Sequence, residues 1–130
     1  MPLRNTSDSW GAVTRVLHWL IAVAIIAMMV VGVIMHDMPN SPDKFRLYAL
    51  HKATGITILA FVFWRIVWRL TNKVPLLPGN TPYWQQRVSA ITHFCMYALM
   101  VIMPLSGWLM NSASGFPMTW YGFFEVPALV

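Results

Sequence analysis

Residues 16–35 read VLHWLIAVAIIAMMVVGVIM. A bilayer's hydrocarbon core needs about 20 apolar residues of helix to cross it, and this run meets that length. Two further apolar blocks follow. Residues 53–70 read ATGITILAFVFWRIVWRL, and residues 90–110 read AITHFCMYALMVIMPLSGWLM. The third block meets the spanning length. The second is shorter, and Arg65 interrupts it near one end. Extended upstream through FRLYALHK it becomes a longer helix with a basic start, and arginines close to a helix end can snorkel to the headgroups. The pattern predicts an all-α protein, a transmembrane helical bundle with helices over about 10–36, 45–71 and 85–111. Residues 112–130 are expected as a loop, and the whole chain as a single membrane domain.

Composition points the same way. The chain is 58% hydrophobic and 10% charged, whereas a soluble domain is about one-quarter charged. The net charge is +5, but the basic residues lie between the apolar blocks and form no long run. That suits loops beside a bilayer and argues against a nucleic-acid surface. The first block is too long for a signal peptide's apolar region, and no small-x-small cleavage site follows it. A polar turn, MHDMPNSPDKF, follows instead. Ahead of the block, NTSDSWGAVTR reads as a helix start with Ser, Asp and Thr as caps.

The loops set an orientation. Arg4, Arg15, Arg65, Arg69, Lys73 and Arg87 fall on one side if each block spans once, against Lys44, Arg46 and Lys52 on the other. The positive-inside rule then puts the N-terminus in the cytoplasm. Trp10, Trp84, Trp108 and Trp120 lie near the expected interfaces, as an aromatic belt would. Cys95 has no cysteine partner in the chain and reads as a small packing residue.

Of four histidines, three fall within the expected helices. An ionisable residue inside a membrane helix is costly and usually faces the bundle interior. Imidazole ligates haem iron, and a flat apolar macrocycle fits between helices. Interhelical hydrogen bonding is the alternative for each of them. His18 and His93 lie near the cytoplasmic ends of the first and third helices, and His51 near the outer end of the second. Levels some 14 residues apart are separated by roughly 20 Å, which suits two haems stacked across a bilayer. Gly32 follows His18, and Gly107 follows His93, by 14 residues. Each therefore shares a face with its histidine and leaves a gap at the His51 level. Gly55 lies one turn deeper than His51. Glycine is also common on membrane packing faces.

His36 sits beside Asp37 after the first span and reads as an interfacial histidine. The methionines read as packing residues. Arg65 and Arg69 are candidates for haem propionates, because guanidinium binds carboxylate bidentately; lipid headgroups are the other partner open to them. Pro104 is expected to kink the third helix.

Taken together, RVLHWL with His18, LHKATGI with His51, RIVWRL with Arg65 and Arg69, and THFCMYALMVIMPLSGWLM with His93 resemble the bacterial cytochrome b561 family. The segment SGFPMTWYGFFEVP resembles that family's outer loop. The resemblance runs from about Trp10 to the last residue and is carried by the order and spacing of the motifs. It implies a four-helix up-and-down membrane bundle holding two haems b, similar to the cytochrome b subunits of nickel-iron hydrogenases and formate dehydrogenases. It implies that His18 is an axial ligand of the inner haem and His51 of the outer one. His93 would ligate or line the inner haem, or line a quinone site. In the family a fourth helix supplies the other axial histidines. This sequence ends at EVPALV, before that helix, so three spans of the four are expected here and the sequence reads as a fragment.

The resemblance also implies a bacterial inner-membrane protein that exchanges electrons with ubiquinone or another quinone, in a respiratory chain. Its donor would be small or a redox protein. Superoxide:ubiquinone oxidoreductase activity is the enzyme reading it suggests. The alternatives are a haem-binding anchor for a soluble redox partner and a haem-free membrane protein with histidines in proton relays.

Overall fold

The computed structural model describes residues 3–6, 10–72, 75 and 78–129. It contains three long helices, α1 (Ala12–Asp37), α2 (Pro42–Thr71) and α3 (Tyr83–Ser114), and a short antiparallel pair, β1 (Thr119–Trp120) and β2 (Phe124–Glu125). Each helix is long and apolar enough to cross a membrane. Trp19, Val23, Ile26 and Val33 of α1 and Phe94, Ile102 and Met103 of α3 all lie more than half exposed. Only lipid can cover so much apolar surface, and helices also satisfy every backbone group they carry through it.

Local chemistry sets the helix ends. Ser41 caps α2 by accepting the Lys44 N–H at 3.2 Å, with Pro42 and Asp43 in the first turn. These are strong start signals, which is why α2 begins before residue 45. α3 runs through Pro104 and ends on Gly115, whose φ of 80° suits a left-handed C-cap. The Gly115 N–H returns to the Ser112 carbonyl. The start of α1 differs from the Ser, Asp or Thr cap expected from sequence. Gly11 is the N-cap and offers no side chain. Its N–H goes instead to Asn5 Oδ1, 2.8 Å away, which also accepts from the Thr14 hydroxyl. Ser7, Asp8 and Ser9 lie outside the described residues, as does Lys73.

α2 is the central helix. It packs on α1 along one side and on α3 along another, while α1 and α3 do not pack on each other. The centre of the packing is Ile21 of α1 with Ile58 and Val62 of α2, joined by Met100 and Val101 of α3. α1 and α2 run antiparallel in one steady register. Thr14 meets Trp68, His18 meets Arg65, Met28 meets Gly55 and Gly32 meets His51.

Residues 112–130, expected as a loop, hold more order than that. The β-pair closes through Tyr121 and Gly122, both at positive φ. It folds back onto α2, where the Trp120 indole N–H donates to Thr57 Oγ1 at 2.8 Å and the Tyr121 hydroxyl bonds the Thr54 hydroxyl at 2.7 Å. The Trp108 indole N–H donates to the Pro127 carbonyl and ties the segment to α3. Trp108 and Trp120 therefore fasten the segment to α3 and α2.

Candidate functional site

The antiparallel register sorts the polar side chains of the spans into two levels. At one end His18 stands opposite Arg65. At the other His51 stands opposite Gly32. Along α1, His18 and Gly32 are separated by 14 residues, a rise of about 21 Å.

The His18 level is a cleft of about 840 Å³ lined by residues of all three helices, with His18, Arg65, Arg69, His93 and Tyr97 among them. That volume lies in the range of small-molecule and cofactor sites. Its polar groups are connected. Arg65 Nη2 lies 2.9 Å from His18 Nδ1. The Arg65 and Arg69 guanidiniums lie 5.3 and 5.4 Å from the centre of the Tyr97 ring. One aromatic ring thus holds two like charges together. Tyr97 follows His93 by one turn, so α3 presents both to the cleft. His93 Nδ1 is 3.4 Å from Ser89 Oγ on its own helix. The structure brings His18 and His93 to one cleft, from the two helices that flank α2.

The floor of the cleft comes from the N-terminal segment, through Asn5 and Trp10. Arg4 donates to the Thr71 carbonyl at 2.6 Å and to Asn72 Oδ1, closing the end of α2. Its guanidinium also lies over the Trp68 ring. Gly11 is pressed against this segment so closely that a Cβ would stand 2.4 Å from the Arg4 carbonyl carbon.

The His51 level is narrower. A Cβ at Gly32 would lie 3.6 Å from His51 Cε1, and one at Gly55 would lie 3.8 Å from the Met28 methyl. Gly107 of α3 is exposed, and a Cβ there would meet nothing within 4 Å. His51 Nδ1 is buried and has no hydrogen-bond partner among the described residues. A buried polar atom left alone costs about 1–3 kcal/mol, and such an atom in a membrane helix invites a ligand or a proton partner.

His36 is exposed in the last turn of α1, one turn beyond Gly32. Among the described residues, no three of His, Cys, Asp and Glu come together as a metal cluster. An axial haem site takes one or two protein ligands and needs no such cluster. Sequence reasoning missed the Arg65–His18 bond, Tyr97 and the Asn5–Asn72 floor. Tyr97 alone left a signal, one turn after His93.

The chain matches the family described as prokaryotic cytochrome b561 over residues 9–130. It is similar to cytochrome b561 homolog 2 of Escherichia coli (strain K12), at 29% identity over 130 residues, covering 98% of this chain and 69% of that protein. Three long apolar helices and an apolar exterior agree with that match. The chain belongs to the prokaryotic cytochrome b561 family and is a multi-pass membrane cytochrome of the b type, built for electron transfer.

Proposed function

We propose that the chain carries electrons through haem b at two levels of the bacterial inner membrane, to or from the quinone pool, with its N-terminus in the cytoplasm. The observation that supports this most is the α1–α2 register, which sets one histidine at each level, His18 beside Arg65 and His51 beside Gly32. The residues fit the group. His51 has a buried nitrogen without a hydrogen-bond partner among the described residues, and Gly32 leaves its ring uncrowded. At the other level a cleft of about 840 Å³ combines two histidines with two guanidiniums.

Bound haem would supply one-electron chemistry, its iron alternating between ferric and ferrous. The chain's own residues do the rest. His18 and His51 would each hold a haem iron through a ring nitrogen. His93 offers a second at the His18 level, or lines a quinone there. Arg65 and Arg69 match a pair of propionate carboxylates, because guanidinium binds carboxylate in a planar fork. The apolar side chains around Ile21 and Val62 keep water out between the levels. That low-polarity path tunes potential by burial and nearby charge.

Visible difference spectra of the purified protein test the reading. Sharp reduced-minus-oxidised bands are expected. His18→Ala and His51→Ala should each remove about one haem, from different levels. Purified protein supplied with haem and showing no Soret band would refute it.

A further inference from the structure

The β1–β2 hairpin docks at a depth that the helix register fixes. Along the α1–α2 seam Gly32 meets His51, Met28 meets Gly55 and His18 meets Arg65. The same register sets Thr54 level with Met29 and Thr57 level with Ile26. Ile26 lies nine residues inside Met35, the end of the apolar run of α1, a distance of about 14 Å. A bilayer's hydrocarbon core is about 30 Å thick, so Thr57 stands close to its middle. These two threonines receive the hairpin. Trp120 Nε1 donates to Thr57 Oγ1, and the Tyr121 hydroxyl bonds the Thr54 hydroxyl. After Gly115 the chain therefore turns back along α2 and does not run out into water. Pro127 agrees, since its carbonyl is held by Trp108, inside α3.

The chemistry of the segment suits that depth. From Gly115 to Leu129 the one charged side chain is Glu125. Met118 and Val126 are buried, while Phe116, Phe123 and Phe124 are all more than half exposed. The polar ends of Trp120 and Tyr121 are taken up by α2. Two backbone N–H groups, of Phe123 and Val126, donate to carbonyls of the hairpin's other limb, Trp120 and Met118. Irregular backbone is tolerated at membrane depth where protein satisfies its polar groups. Phenylalanine offers a partner no hydrogen bond, and beside the hairpin Leu109 and Met110 of α3 are exposed in the same way. Acyl chains fit both.

We propose that residues 115–127 form a re-entrant hairpin, which enters the bilayer beside α2 and sets Phe116, Phe123 and Phe124 among the acyl chains of the leaflet at the His51 end. The partner of this surface is lipid. The segment is thus part of the membrane domain's wall, in place of the loop in water expected from sequence. The inference rests on the helix register and holds whichever end of the bundle faces the cytoplasm, with or without haem.

The test uses the full chain with Cys95→Ala, reconstituted in vesicles of phosphatidylethanolamine and phosphatidylglycerol. A nitroxide is attached at Phe123→Cys, and its collisions with oxygen, which concentrates in lipid, are compared with those of a water-soluble nickel chelate. Ile102→Cys, on the exposed apolar side of α3, is the lipid reference. Asn40→Cys, between α1 and α2, is the aqueous one. Oxygen should dominate at position 123, as at Ile102. Phe116→Cys, also exposed but outside the two strands, should give the same order and guards against a local disturbance at position 123.

Nickel dominating at either position, as at Asn40, overturns the proposal and returns the segment to water. Few collisions with either reagent, with an immobilised label, overturns it too, because protein and not lipid then covers the aromatic face.

Discussion

Gly32 is the clearest case of one residue setting what a level can hold. It faces His51 across the α1–α2 seam, and even a methyl group there would come to 3.6 Å from the ring. That distance is ordinary contact, so Gly32→Ala should be tolerated. Gly32→Leu has no room, and overpacking a close contact costs about 1–3 kcal/mol. It should displace the His51 ring and remove the haem of that level, while the His18-dependent bands persist in the difference spectrum. Loss of both sets of bands would point to general unfolding instead. Helical periodicity alone put Gly32 at the His51 level, since 14 residues return almost to the same face of a helix. The same periodicity said nothing about Arg65 and His18, because it fixes faces within one helix and not the register between two. The bond between them depends on α1 and α2 sliding to one particular alignment.

At the scale of elements, the β1–β2 pair is held by its docking rather than by itself. Two strands of two residues cannot stand alone in solution. Tyr121 has φ of 51°, a conformation that bulky residues rarely adopt, and its hydroxyl is fixed by Thr54. Trp120 stacks on Phe124 and meets the Tyr121 ring edge-on. Tyr121→Phe keeps the ring and removes only the hydrogen bond, a loss of about 0.5–1.5 kcal/mol. Hydrogen exchange at the Phe123 and Val126 amides, which bond the Trp120 and Met118 carbonyls, should quicken by roughly threefold to tenfold. Unchanged exchange would show that stacking holds the pair. The helices were legible in their apolar blocks, and the start of α2 in Ser41, Pro42 and Asp43. The hairpin was not, because Tyr121 sits against its own backbone preference and is held there by a residue 67 positions away. The Asn5 floor was hidden for a similar reason: its partners, Thr14 and Asn72, come from two different helices.

For the molecule as a whole, the uneven spread of basic residues predicts which end faces the cytoplasm. In a Cys95→Ala background, Asn40→Cys should react with an impermeant maleimide on intact spheroplasts, and Asn80→Cys should react only after lysis. The reverse pattern would invert the orientation. With the N-terminus in the cytoplasm, the end with Lys44, Arg46 and Lys52 would meet donors outside. Lys44 is partly engaged, since its ammonium donates to the Met38 carbonyl and lies over the Tyr48 ring. Charge reversal at all three should slow haem reduction by superoxide about tenfold at low salt and less at high salt, if long-range attraction guides the anion. An unchanged rate would reject that role. The central place of α2 bears, finally, on how the protein is made. α1 packs chiefly on α2, so if the helices insert in chain order, α1 gains its main packing partner only when α2 follows it. The α1–α2 hairpin, closed around Ile21 and Val62, is the first unit that can form in the lipid. It brings His18 against Arg65 and His51 against Gly32 before α3 is inserted. On that order of insertion, His18 and His51 would be set against their partners before α3 brings Tyr97 to the two arginines.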